Sequence, residues 1–340
     1  MGKRFLLLIV ALALFVGARS QDIQFSQFYS APLYLNPAFA GSAEVTRVGL
    51  NFRNQWPALD QSFYAFSVYA DHFVPEKNSG IGLIVNGSRE SLANLQNTDI
   101  GLIYSYRLRL GNYSYLHMGI QGSYGTRSAA FDEAILGTQL DIDRGLVNPG
   151  GGSALPDDRQ RSFGDLSAGI LYLGKKTWLG FASHHLTQPN VSYLALDRDV
   201  LPIRYSLHGG YKFDLTSGSI NDFFNNTEQS RTFSLAFNYK SQGQYDQLDI
   251  GSELFFEPLI LGLWYRGLPS WNGLPNNEAI IAVLGFSFAS GMDLGYSYDF
   301  TISKLGWRNS GGAHEISIRY TFVEQLWKRK VQRRLPTFRF

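Results

Sequence analysis

The feature that most constrains this chain is a two-residue rhythm of apolar and polar side chains, kept up from about residue 46 to residue 323. Successive side chains of a strand point to opposite faces, so sustained alternation predicts strands with two unlike faces. In 46–54, Val48, Leu50 and Phe52 oppose Arg47, Gly49, Asn51 and Arg53. In 98–110, Ile100, Leu102, Tyr104, Tyr106, Leu108 and Leu110 oppose Asp99, Gly101, Ser105, Arg107 and Arg109, with Ile103 as the exception. The same division recurs in 204–215, 231–240, 291–300 and 313–322. A half-buried antiparallel sandwich would alternate too. Two features favour a membrane barrel instead: the apolar face keeps ending in Tyr, Phe or Trp, and the opposite face carries several charges per strand, as a wet lumen would.

Fourteen such segments are predicted, near 46–54, 62–71, 80–86, 97–110, 113–125, 164–173, 176–185, 204–215, 231–240, 246–256, 259–266, 279–289, 291–300 and 312–323. The count is even, as bacterial outer-membrane barrels prefer. Tight turns follow the second, fourth, sixth, tenth and twelfth segments, and most of the other connections are longer; 216–230 and 241–245 break that pattern. Short periplasmic turns with longer outer loops place both chain ends in the periplasm. The reading is therefore an all-β transmembrane antiparallel barrel of about fourteen strands. Composition agrees: aromatic residues are 15%, glycines number 35 and charged residues are only 17%.

Residues 1–20 read as a secretory signal peptide, with Lys3 and Arg4 ahead of an apolar run, 5–16, and Ala18 and Ser20 before a cut at Gln21. Twelve apolar residues are too few to span about 30 Å of hydrocarbon as a helix. The chain has no cysteine, which excludes disulfides, thiolate metal sites and cysteine chemistry. Residues 324–340 form a basic tail with Lys328, Arg329, Lys330, Arg333, Arg334 and Arg339 against one Glu. An exported tail of this kind suits anionic headgroups, cell-wall polymer or an acidic partner rather than nucleic acid.

Between signal and barrel lies 21–45, an aromatic stretch that is neither helix nor strand. Pro32 and Pro37 interrupt it, and Asn36 is held away from the helical region by the following proline. Irregular backbone cannot face lipid. The segment must therefore sit in the barrel mouth, as a plug, or against a partner.

No catalytic constellation stands out. His184 and His185 are adjacent on a predicted strand, so one ring is expected in the lumen and one at the membrane interface, which prevents a shared metal. The run from Asp141 to Gly145 begins like a calcium loop but lacks the later ligands. Asp99, Asp293, Asp299 and Glu315 are read as lumen carboxylates paired with Arg107, Arg109 and Arg319. No cofactor, metal or enzymatic activity is expected.

The stretch QFSQFYSAPLYLNPAFAG, 24–41, resembles the opening of the PorP/SprF family of Bacteroidota outer-membrane proteins. NFRNQWPAL, 51–59, ASHHLTQPN, 182–190, LPIRYSLHGGYKF, 201–213, LGLWYRG, 261–267, and SYDFTISKLGWRNSGGAHEISIRYTF, 297–322, continue the resemblance in order. It implies a non-enzymatic barrel component of the type IX secretion and gliding machinery. Its implied partners are periplasmic ring lipoproteins and a large secreted surface adhesin, with outer-membrane lipid around the barrel. Matched by position, Phe25, Ser26, Gln27, Phe28, Tyr29, Pro32, Leu35, Asn36, Pro37, Phe39 and Gly41 are implied to order against the periplasmic rim or a ring subunit. The basic tail is expected to join them in docking. The alternative reading is a passive channel for small solutes or ions.

Overall fold

The computed structural model describes residues 22–59, 62–91, 94–129, 140–141, 146–147, 160–193, 198–215, 231–268 and 276–322. The signal segment, the basic tail from Glu324 and the connection 216–230 lie outside these residues, as does most of 126–163. Fourteen long strands account for most of the described chain. They are β1 Arg47–Gln55, β2 Phe63–Val74, β3 Ser79–Glu90, β4 Leu95–Arg109, β5 Tyr115–Ser128, β6 Gln160–Leu173 and β7 Thr177–His184. The second half comprises β8 Arg204–Asp214, β9 Arg231–Gln242, β10 Tyr245–Phe256, β11 Leu259–Leu268, β12 Asn276–Ser287, β13 Met292–Thr301 and β14 Ala313–Thr321. Each strand pairs antiparallel with its sequence neighbours, and β14 pairs with β1 to close the barrel. Closure removes every free edge, which is what makes a sheet tolerable in lipid.

The register preserves the alternation all round the wall. Leu50 lies opposite Val68 of β2 and Ile318 of β14, and all three are exposed. The outer face continues as a band of aliphatic residues that includes Leu102, 70% exposed, Ile120 and Leu263. Tyr64, Tyr205 and Tyr245 stand near one end of their strands, and Tyr106, Tyr211 and Tyr320 near the other. Two aromatic girdles around an aliphatic band are the surface a bilayer requires. Short turns cluster at one rim, at 110–114, 174–176, 257–258 and 288–291, together with the single helical turn Pro75–Lys77. β1 begins and β14 ends at this same rim, with Arg47 opposite Thr321.

Chain geometry then turns inward. Residues 22–46 do not hang from the short-turn rim. They run through the barrel interior, carrying one turn of α-helix, Pro32–Leu35, and one 3-10 turn, Pro37–Phe39. Both turns begin with proline, whose fixed φ suits the first helical position and whose missing N–H costs nothing there. Asn36 separates them in an extended conformation and caps the second by accepting from the Ala38 N–H at 2.8 Å. The main buried apolar cluster joins Phe28, Tyr29, Leu33, Leu35, Ala38 and Phe39 of this segment to inward residues of the wall: Tyr69, Ile84, Ile103, Leu171, Trp264 and Ile281. Ile103, the exception to the alternation, is apolar on the inward face, where it joins the segment's buried cluster.

Candidate functional site

The interior segment and the wall that receives it form the most built part of the molecule. Its upper anchor, toward the long-connection rim, is Ser26. The Ser26 N–H donates to Glu315 Oε2 at 2.6 Å and its hydroxyl donates to Asp299 Oδ2 at 2.7 Å. The same hydroxyl oxygen accepts from Arg53 Nη1 at 2.5 Å and Arg266 Nη2 at 3.1 Å. Around it, Arg53 pairs with Asp299 at 2.8 Å, and Arg266 pairs with Asp249 at 2.7 Å and Asp299 at 3.1 Å. Gln27 completes the anchor through its N–H to Glu315 Oε1 at 3.0 Å and its side-chain oxygen, which accepts from Ser317 at 2.7 Å. These charges come from β1, β10, β11, β13 and β14; Ser26 bonds four of those strands directly and meets β10 only through Arg266. Buried charges survive only when paired and hydrogen-bonded, and here the interior segment supplies part of the pairing.

Next along the chain the contact is aromatic. Trp264 receives Phe28 edge-on at 5.2 Å between centroids and Tyr29 stacked at 5.7 Å. Phe25 meets Tyr34 edge-on at 5.3 Å. On the opposite wall Asn36 is fully buried, and its amide donates to the Ile170 carbonyl of β6 at 3.0 Å and the Phe181 carbonyl of β7 at 3.3 Å. The Leu35 carbonyl lies 3.3 Å from His184 Nε2, and Phe39 stacks on His208. Toward the short-turn rim the Gly41 N–H donates to Asp71 at 2.8 Å, and Arg47 holds that carboxylate at 2.9 Å. Glu44 pairs with Arg107. The wall makes room by omitting side chains: a Cβ at Gly119 would fall inside contact distance of the Ala38 backbone, and one at Gly80 would meet the Ala40 carbonyl.

The first described residue, Asp22, sits nearest the long-connection rim. Its carboxylate lies 2.7 Å from His185 Nε2 and 3.0 Å from Arg204, and its N–H donates to Gln242 at 3.2 Å. His185 is held from its other side by Asp165 at 2.7 Å. Burial opposes the charged forms, but the mutual pairing wins: His185 is pushed up to about 9, and Asp22 is held far below the usual carboxylate range by His185 and Arg204. The sequence reading expected one ring of the His184–His185 pair at the membrane interface. That is corrected here: β7 ends at His184, and His185 has a φ of 60°, which turns its ring inward as well. Among the described residues no group of three ligands could hold a metal ion.

Phe25, Gln27, Phe28, Tyr29, Pro32, Leu35, Asn36, Pro37 and Phe39, expected to order against a periplasmic rim or partner, are all buried inside the barrel. Their side chains pack on the inner wall of the barrel. The described chain likewise begins beside the long-connection rim rather than at the short-turn rim. Lys328, Arg329, Lys330, Arg333 and Arg334 lie outside the described residues. Of the expected lumen pairs, Asp293 does meet Arg319, at 2.6 Å. Asp299 and Glu315 instead meet Arg53 and Arg266. Those two arginines, Asp22 and the inward glycines went unread as site residues. The available signal was charge and glycine on the inward face at matching levels of several strands.

The family model described as type IX secretion system membrane protein PorP/SprF matches residues 18–320. None of the curated proteins compared matches the chain. Among solved structures, a Pseudomonas aeruginosa FadL homologue is similar at 14% identity and a TM-score of 0.44, over 84% of this chain and 93% of that one. A deletion mutant of the monoaromatic hydrocarbon channel TodX is similar at 12% identity and a TM-score of 0.44, over 86% and 92%.

Proposed function

Because the chain belongs to the PorP/SprF family of type IX secretion system membrane proteins, we propose that it is a non-enzymatic outer-membrane component of that machinery, working by protein–protein contact. The short-turn rim, with tail residues Lys328, Arg329, Lys330, Arg333 and Arg334, faces the periplasm and docks ring lipoproteins. The long-connection rim supports secretion or surface attachment of a large partner adhesin. The observation that carries this reading is the filled interior. A barrel whose lumen is occupied by its own residues 22–46 has its two rims left for function. The same observation counts against the passive channel, which would need that segment elsewhere.

The described part of the short-turn rim carries both signs, with Glu76 exposed beside Lys77, and the basic tail tips it toward an acidic partner. Lys77, Arg109 and Lys175 are exposed there, and Lys176 makes only a half-exposed pair with Asp214. Such charges set encounter rate and orientation more than affinity. The test is purification of the tagged chain from outer membranes in mild detergent, with and without residues 324–340. Ring lipoproteins that accompany the intact chain and are lost with the tail support docking at this rim. An intact chain that emerges alone and conducts ions in a planar bilayer overturns the proposal.

A further inference from the structure

We infer that the outer end of β6 is a docking edge, where an extended segment of an exported protein adds as a further strand. Within the wall, closure pairs every strand on both sides. Above the wall, β6 outruns β7. β6 pairs with β5 over its whole length, from Leu173 opposite Tyr115 to Gln160 opposite Ser128. Its pairing with β7 stops at Ala168 opposite Ser183. Beyond that point the Leu186 N–H donates to the Leu166 carbonyl at 3.0 Å, and the Thr187 hydroxyl lies 3.3 Å from the Gly164 carbonyl. The chain then turns, with the Gln188 N–H donating back to the His185 carbonyl at 3.0 Å.

Alternate residues of a strand serve its two neighbours. The Leu166 carbonyl points toward β7, so the N–H and C=O of Gly164, Ser162 and Gln160 point that way too. Asp165, Phe163 and Arg161 serve β5. Among the described residues no backbone group meets Ser162 or Gln160 from the β7 side, and Gly164 receives only the Thr187 hydroxyl. All three residues are exposed. They also stand beyond the tyrosine girdle. Register puts Tyr205 beside Ser183 and Ser183 beside Ala168, and Gly164 lies four residues, about 13 Å, farther along β6. Water can reach an unpaired backbone there, as it could not in hydrocarbon.

A row of unused N–H and C=O groups at strand spacing is matched by another backbone. A small solute or a lipid headgroup would answer one or two of them but not their alternation. The usual guards of an edge are missing: Gln160, Ser162 and Gly164 bring no lysine or proline, and the β5–β6 register runs without a bulge. Side chains then set the guest's character. A Cβ at Gly164 would meet nothing within 4 Å, so a bulky guest residue fits over it. On the inward face Arg127 stands directly opposite Arg161. Like charges so placed repel, which favours a guest carboxylate beside Arg161. The guest is an extended segment with a large residue and an acidic residue on opposite faces. Its origin in an exported protein rests on the reading that the long-connection rim faces outward.

The test places p-benzoylphenylalanine at Gly164 in the full tagged chain, irradiates intact cells and identifies adducts by mass spectrometry. An adduct with an exported surface protein is expected, mapped to one extended run that contains an acidic residue. Ser162→Pro removes an edge N–H and is expected to cut the adduct about tenfold. Ser162→Ala keeps the backbone and should leave it unchanged. Both variants should retain the heat-modifiable gel migration of a folded barrel. If Ser162→Pro misfolds, Gln160→Pro at the first residue of the strand makes the same comparison. The edge is overturned by the absence of any protein adduct, by an adduct only with a second copy, or by one that the folded proline variant leaves undiminished. Co-purification separates the two readings. An exported protein that accompanies the folded proline variant as fully as the intact chain leaves the secretion role standing without the edge, and one that accompanies neither sinks both.

Discussion

Asn36 illustrates how much one side chain carries inside this barrel. Its oxygen caps the turn that follows and its amide bridges the carbonyls of two strands. Removing it leaves buried groups unsatisfied, at about 1–3 kcal/mol. Asn36→Ala is therefore expected to lower the barrel's resistance to denaturant by that amount, measured as the midpoint of tryptophan-monitored unfolding. His185 makes a pH-dependent contribution. Its folded value, about 9, lies above the unfolded value of about 6.5. The stabilisation is fully present below that unfolded value and is lost as pH rises through about 9. Amide protection of residues 22–27, referenced to intrinsic exchange rates, is expected to fall between neutral pH and strongly alkaline pH. The His185→Gln variant should show little such fall. Neither effect was legible in the sequence. Asn36 before proline signals only an extended residue, and His185 reverses its expected face because one positive φ at a strand end breaks the alternation.

At the scale of elements, the strands and the interior segment differ in how the sequence encodes them. A strand's two faces meet different solvents, so its own residues declare it; all fourteen were found by alternation, with ends displaced by a few residues. The interior segment has no period, since its partners surround it on every side. Its trace lies in the wall instead, as inward apolar residues such as Ile84, Ile103 and Leu171, and as glycines such as Gly80 and Gly119 that yield space. The segment's aromatic composition pointed to burial but not to the surface that buries it. The ladder hydrogen bonds that close the barrel run from strand to strand, and water entering the lumen can solvate Arg53, Arg266, Asp299 and Glu315. Deletion of 22–41 is thus expected to spare membrane insertion and heat-modifiable migration while raising single-channel conductance in planar bilayers. A deletion mutant with no more conductance than the intact chain would show that something other than this segment closes the barrel.

For the whole molecule, the outer surface and the interior answer to different solvents and should respond oppositely to charge. Leu102 is in the lipid-facing band, and Leu102→Arg is expected to destabilise the folded barrel by about 2–4 kcal/mol at mid-depth, read from folding titrations into lipid vesicles. A charge reversal of Lys77 at the rim should be near neutral in the same assay. The fold also dictates an order of assembly. Ser26 and Gln27 bond to Glu315 and Ser317 across sequence separations of 289, 288 and 290 residues, and Arg53 on the first strand bonds the same serine. Contacts this distant form late, after loop-closure entropy has been met by nearer pairings. The first described residues therefore remain unplaced until the last strand arrives. Their seat exists only when β14 has joined β1 in register, so the segment acts as a latch on the seam, and a barrel closed one step out of register would find no place for it.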